Sequence, residues 1–243
     1  MSTRENKELD AQPNLAAGRR PAQKRSQARV TALLDAADHL LMERDLADIG
    51  LYDVANLAKV PPTSAYHFFP TKESVFLALA ERYLQTLHAK LEEPIDPAAI
   101  EQWPELIAAR YHRVVDYFNE FLPARKLFMG TAIGSDVQTL DFDDMKTLSE
   151  WMYHSLNVYF EMPYLKDPGF KFTVLFGIYD GIWATSYAKH GYITADYARE
   201  GLRAGLAYLA TFLPQTIALR PPGAVPEVRI ADQIAGSAAD PAK

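Results

Sequence analysis

Residues 51–69 decide the fold, and they read Leu-Tyr-Asp-Val-Ala-Asn-Leu-Ala-Lys-Val-Pro-Pro-Thr-Ser-Ala-Tyr-His-Phe-Phe. Gly50 is an acceptable N-cap for a short helix over Leu51–Lys59, which Pro61 and Pro62 interrupt. Proline is favoured at a helix start, so a second short helix is expected from Pro62 to about Phe69. Two short helices joined by a tight turn predict a helix-turn-helix, whose second helix enters the DNA major groove.

The two predicted helices have a packing face and an outward face. Ala55 is small enough for a close helix crossing, and Ala65 lies on the inner face of the second helix. Hydroxyl and aromatic groups on the outer face can contact bases or phosphates. The predicted DNA-contacting residues are Arg25, Tyr52, Pro62, Thr63, Ser64, Tyr66, His67 and Lys72. The alternative is that Tyr66 and His67 are ordinary surface residues of a small helical domain.

Charge is distributed unevenly along the chain. The net charge is −6, made up of +1 over residues 1–90 and −7 over residues 91–243. Gly18–Val30 carries five basic residues and no acidic one, as expected for a basic arm that contacts phosphate. Taken alone, this run is equally a solvated charge cluster.

The remaining chain is almost entirely helical in its apolar spacing, so the expected fold class is all-α. A helix over Ala28–Arg44 precedes the central stretch, and Thr71 caps a long helix after it. Further helices are expected at Trp103–Leu122, Pro123–Ile133, Phe142–Phe160, Pro168–His190 and Thr194–Leu213.

These elements divide into five parts. We expect a disordered basic amino-terminal arm over 1–23, a helix-turn-helix domain over 24–72 and a connecting helix over 73–93. A larger helical domain for ligand binding and dimerisation follows over 94–214, and a flexible tail over 215–243.

Three segments of the first half resemble the TetR family of bacterial transcriptional regulators. Ala36-Ala37 … Leu41 … Glu43-Arg44 is similar to the family's first helix, and Asp53-Val54-Ala55 … Ala58-Lys59-Val60 to its second. The specific match is Tyr66-His67-Phe68-Phe69-Pro70-Thr71-Lys72-Glu73, which spans the end of the recognition helix and the start of the fourth. The chain departs from the family pattern at Asp45 and Lys59, where glycine is usual, and at Pro61, where a Ser or Thr cap is usual.

The resemblance implies that the last two helices form a four-helix dimer interface. Gly177 and Gly181 lie four residues apart in the first of them, and Gly201 and Gly205 in the second. Such pairs let another backbone approach closely, so these glycines and Tyr208 are the predicted interface. Close packing within one subunit is the alternative.

The resemblance also implies a ligand cavity among the aromatic-rich helices. The predicted lining is Trp103, Arg110, Tyr111, Phe118, Phe128, Trp151, Phe176, Tyr179, Asp180 and Trp183. Each of these is alternatively an ordinary core residue. His112, Asn119 and His154 are further polar candidates for orienting a ligand.

Other functions have weaker support in the sequence. His112 and Asp116 are spaced to share a metal, but no further ligand cluster lies near them, so no metal or cofactor is expected. No phosphate-binding loop, dinucleotide fingerprint or nucleophile elbow is present, so no enzymatic activity is expected. The absence of cysteine fits a reducing cytoplasm. The apolar stretch Thr173–Ala184 is too short to span a membrane and is interrupted by Asp180.

We therefore expect a cytoplasmic homodimeric regulator, a repressor, that binds double-stranded operator DNA and is released by a small-molecule effector of apolar or aromatic character. The alternative is an all-helical small-molecule-binding or catalytic protein that does not regulate transcription.

Overall fold

The computed structural model describes residues 15–130, 135–221 and Ile230, with side chains from Gln23 onward. Within those residues the chain is all-α, as predicted, and its β pairing is one isolated bridge between Phe160 and Leu219. The helices are α1 (Leu15–Glu43), α2 (Leu51–Leu57), α3 (Pro62–Phe68), α4 (Lys72–Glu92), α5 (Trp103–Glu120), α6 (Leu122–Phe128), α7 (Ser135–Tyr159), α8 (Pro168–His190) and α9 (Ala195–Leu209).

The first three helices and the start of α4 enclose a small apolar core. Leu33, Ala37 and Leu41 bring one face of α1 into it, and all three are fully buried. Ala55 is buried where α2 meets this core, as expected for a close crossing. Thr71 caps α4, because its Oγ1 accepts the Ser74 N–H at 3.2 Å.

The turn between α2 and α3 holds Lys59 in a left-handed conformation, with φ of 55°. The Val60 N–H donates to Ala55 O at 3.0 Å, and the Lys59 N–H donates to Asn56 O at 3.1 Å. These two bonds form a Schellman motif, whose left-handed position usually carries glycine. Lys59 therefore occupies this position at a conformational cost.

The other two departures have different consequences. Pro61 provides no side-chain cap for α3, and its carbonyl accepts the Ser64 N–H at 2.8 Å instead. Asp45 is extended, with φ of −80°. This position therefore does not require the left-handed conformation that favours glycine.

The larger domain is built around α8, which packs against α7 and α9. The predicted bounds of α8 are confirmed. Asp167 Oδ1 accepts the Phe170 N–H at 3.2 Å before Pro168, and Gly191 closes the helix with φ of 77°. Local capping chemistry fixes both ends of this helix.

Two predicted helix starts are wrong where the structure describes them. α1 begins at Leu15, so residues 15–23 are helical and not a disordered arm; residues 1–14 lie outside the described residues. An established helix extends more easily than a new one nucleates, which explains the added turns. α7 begins at Ser135, seven residues before the predicted Phe142.

The predicted flexible tail is also wrong for residues 215–221. Arg220 donates its N–H to Tyr159 O, and Glu161 donates to Ala218 O, both at 2.8 Å. The Trp103 indole donates to Pro214 O at 3.0 Å, and Ile217 is buried. Burial of Ile217 and these paired main-chain groups order the segment. Apart from Ile230, the residues beyond 221 lie outside the described residues.

Candidate functional site

The outward face of α3 is exposed, and its inner face is anchored. Ala65 is fully buried beneath it, and Phe69 closes the small core at its carboxyl end. Pro62, Thr63, Tyr66 and His67 are exposed and Ser64 is half-buried. The side chains predicted to contact DNA therefore project from a helix held against α2.

Neighbouring elements extend this face. Tyr52, on α2, is 59% exposed and Tyr66, on α3, is 52% exposed. Arg25 is exposed on α1. Lys72 is half-buried and is the first residue of α4, and its Nζ donates to Ala47 O at 3.4 Å. A cation beside helix N–H groups suits contact with a phosphate.

A second feature is a cavity among α4, α5, α7 and α8. About 70 Å³ of its interior is free for water-sized molecules, within an open space of about 750 Å³ that includes its mouth and the adjoining solvent. Its lining is mostly apolar and aromatic and consists of Leu84, Leu87, Leu91, Ile107, Arg110, Tyr111, Val114, Phe118, Asp141, Asp144, Met145, Leu148, Trp151, Met152, Leu175, Phe176, Tyr179, Asp180 and Trp183. Eight of the ten residues predicted to line a cavity are therefore brought together here.

Aromatic contacts fix one wall of the cavity. Tyr179 stacks on Trp183 with ring centroids 5.6 Å apart and planes at 21°. The Trp183 indole donates to the Tyr111 hydroxyl at 2.9 Å. Arg110 lies with its guanidinium carbon 4.3 Å from the centre of the Trp151 ring and donates to Leu91 O at 2.5 Å. These bonds leave the wall little rotational freedom.

Acidic side chains also line the cavity. Burial, followed by the nearby charge of Asp141, raises the pKa of Asp180 to about 7. Burial, followed by the charge of Asp144, raises the pKa of Asp141 to about 6. Asp144 lies 2.7 Å from Nε2 of His88, a residue of α4. Within the described residues, no hydrogen-bond donor or basic group pairs with Asp141 or Asp180.

Several sequence-based candidates lie elsewhere. Trp103 and Phe128 are outside the cavity, contrary to the prediction: Trp103 faces the returning tail, and Phe128 packs on Phe118 with centroids 6.0 Å apart. Asn119 joins α5 to the turn before α9, because its side chain exchanges hydrogen bonds with the backbone of Ile193. His112, with Asp116, and His154 are exposed.

Sequence reasoning missed the acidic side of the cavity. Asp141 and Asp144 belong to the run Asp141-Phe142-Asp143-Asp144, which has the composition of a solvated surface. Their positions three residues apart, together with Asp180 on an apolar helix, were the available signal. Within the described residues, no group of three metal-ligating side chains is suitably arranged.

The two glycine pairs have different surroundings. A methyl group added at Gly177 or Gly181 of α8 would meet no atom within 4 Å, so this pair faces open space. A methyl at Gly201 would overlap the Tyr111 hydroxyl, and one at Gly205 the Tyr179 ring. Gly201 and Gly205 therefore serve packing within the subunit, contrary to the interface prediction. Tyr208, also predicted there, is half-buried with its ring against Phe212.

α4 connects the two parts of the molecule. Leu84, Leu87 and Leu91 line the cavity. Immediately before Leu84, the Tyr83 hydroxyl donates to Asp38, and Arg82 Nη1 lies 2.6 Å from Asp35 Oδ1, both acids being on α1. A displacement of α4 at the cavity would therefore reach the helix-turn-helix through these bonds.

None of the described helices is long and apolar enough to cross a membrane. Residues 33–79 match the family model described as "Bacterial regulatory proteins, tetR family". Those residues run from the middle of α1 into α4 and contain the whole of α2 and α3.

Two curated relatives match over part of the chain. The regulator EthR of Mycobacterium tuberculosis is 35% identical over 97 residues, which cover 38% of this chain and 45% of EthR. The repressor NemR of Escherichia coli is 29% identical over 86 residues, covering 35% of this chain and 43% of NemR. The matched region thus spans less than half of either relative.

Solved structures match over more of the chain and share its fold. A TetR-family regulator from Streptomyces coelicolor has a TM-score of 0.57 at 23% identity, covering 77% of this chain and 99% of its own. RolR, solved with its ligand resorcinol, has a TM-score of 0.58 at 18% identity, covering 76% of this chain and 89% of its own. The second half of the chain therefore folds like these regulators despite low identity.

Proposed function

We propose that the chain is a transcriptional regulator of the TetR family that represses transcription by binding a near-palindromic operator as a homodimer and is released by a small molecule. The observation that carries this proposal is the exposed face of α3, from Pro62 to His67, held over a buried core. A helix presented in this way fits the width of the major groove.

Self-association follows from the need for a useful binding site. One recognition helix reads few bases, whereas two related by a twofold axis read half-sites about 34–36 Å apart. The open face of α8 at Gly177 and Gly181 supports a close contact with a second copy. Phe170, 63% exposed at the start of the same helix, adds an apolar group for burial.

An effector would release the protein from DNA by moving α4. A ligand among Leu84, Leu87 and Leu91 would contact α4 directly, and the bonds of Tyr83 and Arg82 would transmit a shift to α1. The ligand must bind more tightly to the form with separated recognition helices. Each 1.4 kcal/mol of that preference changes operator affinity about tenfold.

The test is binding to the DNA upstream of the protein's own gene, measured by fluorescence anisotropy. We expect a preference for one segment over random DNA of the same length, of about a thousandfold or more, and a steep loss of affinity with added salt. Binding with no sequence preference, or none at low salt, would contradict the proposal.

A further inference from the structure

We propose that the cavity takes an organic cation, a small aromatic or apolar molecule that carries a quaternary or protonated amine, with its positive charge beside Asp141 and Asp180. This inference rests on the proposed function for the role of the molecule as an effector. The binding preference itself depends only on the cavity.

The first argument is the composition of the walls. Phe176, Tyr179 and Trp183 of α8 face the same space as Tyr111 and Trp151. Aromatic faces attract alkylammonium groups through the ring quadrupole, and this attraction strengthens when water is excluded. An apolar cation is therefore favoured by the walls as well as by the acids.

The second argument is that two carboxylates line an apolar cavity with no partner of opposite charge among the described residues. Asp180 lies on α8 between Tyr179 and Gly181, and Asp141 faces the same cavity from α7. Two neighbouring carboxylates repel each other and lose hydration when buried. A bound cation would remove both penalties, and an anion would increase them.

The third argument concerns the other charged groups of the cavity. Asp144 Oδ1 lies 2.7 Å from Nε2 of His88, so a ligand would share that carboxylate with the imidazole. Arg110 is the cavity's basic residue within the described chain, and it is bonded to Leu91 O and lies against Trp151. An anionic ligand would therefore lie near three acidic side chains and one guanidinium that already contacts Leu91 O and the Trp151 ring.

The raised pKa values of Asp141 and Asp180 support the inference, because burial disfavours the charged carboxylates and a nearby cation would favour them. Strongly perturbed acids in a cleft are frequent at ligand sites. A permanent cation should bind better as these groups ionise.

Three probes of nearly the same shape test the charge preference. Benzyltrimethylammonium is cationic, neopentylbenzene is its neutral isostere and benzylsulfonate is anionic. Binding is measured at pH 8 on the full chain by quenching of tryptophan fluorescence, because Trp151 and Trp183 line the cavity. We expect the cation to bind at least tenfold more tightly than either other probe.

Amide variants test the assignment of residues. Asp180→Asn and Asp141→Asn keep shape and remove charge, so each should weaken cation binding at least tenfold and leave neopentylbenzene binding unchanged within twofold. Asp143→Asn is the matched control, because Asp143 is exposed on the same helix and outside the cavity. It should bind the cation like the unaltered protein.

Operator binding without any probe is measured on the same samples. Equal or tighter binding of the neutral or anionic probe, or full cation binding by both Asp180→Asn and Asp141→Asn, overturns the inference while operator binding stands. Selective cation binding without operator binding overturns the proposed function and leaves the cavity assignment in place.

Discussion

Tyr83 donates its hydroxyl to the carboxylate of Asp38, and this bond joins the helix that lines the cavity to the first helix of the DNA-binding domain. Burial and the hydrogen bond to Asp38 both raise the pKa of Tyr83 above its ordinary value. The hydroxyl therefore remains a donor across the physiological pH range.

A double-mutant cycle on this pair should give a coupling of about 1.5–3 kcal/mol in the free energy of unfolding, because the bond is charge-assisted and partly buried. The variants are Tyr83→Phe, Asp38→Asn and the combination, unfolded with urea.

The matched control for that cycle is Arg82 with Asp35, an ion pair between the same two helices. Its side chains are 33% and 63% exposed, so its coupling should be about 0–1 kcal/mol. Equal coupling energies for the two pairs would contradict the expectation that the Tyr83–Asp38 bond joins α4 to α1 more strongly than the Arg82–Asp35 pair does.

Tyr66→Ala and Lys72→Ala should each weaken operator binding about fivefold or more, since the first removes a groove contact and the second a phosphate contact. Lys72→Ala should also reduce the slope of affinity against salt by about one. Tyr164→Ala is the control, because Tyr164 is equally aromatic and 91% exposed but lies between α7 and α8. Unchanged operator affinity in both test variants, with unchanged circular dichroism, would contradict the interface.

The glycines of α8 and α9 should respond oppositely to alanine. Gly205→Ala places a methyl against Tyr179 and should lower the free energy of unfolding by about 1–3 kcal/mol. Gly181→Ala meets no atom of its own chain and favours the helix by about 1 kcal/mol, but it should weaken self-association measured by sedimentation. An unchanged dimer in Gly181→Ala would count against this face as the interface.

Lys59→Gly should raise the free energy of unfolding by about 1–2 kcal/mol, because glycine adopts the left-handed conformation without steric penalty. Lys59→Ala is the control, since it removes the charge and retains the strain. A similar gain in both variants would show that the charge is responsible instead.

Asp180 should make stability fall as pH rises from about 4 to 7. Its pKa is raised in the folded protein, so the folded state binds a proton more tightly than the unfolded state across that window. Asp180→Asn should therefore be more stable than the unaltered protein at pH 8, by up to about 4 kcal/mol, and nearly equal to it at pH 4. Urea unfolding at the two pH values measures the difference, and an equal offset at both would contradict it.

Asp143→Asn serves as the control for that pH dependence. The titratable and charged groups that line the cavity or pair with its acids are His88, Arg110, Tyr111, Asp141, Asp144 and Tyr179. Asp141 shifts in the same direction as Asp180 and adds to the slope.

Features of the fold could be predicted from the sequence where residues close together in the chain determine them. Asp167, Pro168 and Gly191 act within one helical turn, so the limits of α8 could be read directly. Residues 135–141 have only Val137 and Leu140 as apolar positions, which is too short a pattern to show the early start of α7. The eight cavity residues followed from aromatic spacing combined with a family resemblance.

The sequence could not show which glycine pair packs within the subunit and which faces open space, because both pairs have the same four-residue spacing. Gly201 and Gly205 are covered by Tyr111 and Tyr179, which come from α5 and α8. Which helix face is covered thus depends on rings distant in sequence. The acids of α7 were missed for a related reason, since burial by α4 and α8 is what distinguishes Asp141 from its exposed neighbour Asp143.

The return of residues 217–220 along the end of α7 determines where this protein can be shortened. A version ending at Leu213 would remove the hydrogen-bond partners of the Trp103 indole, Tyr159 and Glu161 and the backbone bridge of Phe160 to Leu219. We expect such a version to accumulate as inclusion bodies, whereas one ending after Pro221 keeps those bonds and gives up the buried Ile230 and its N–H bond to Glu92.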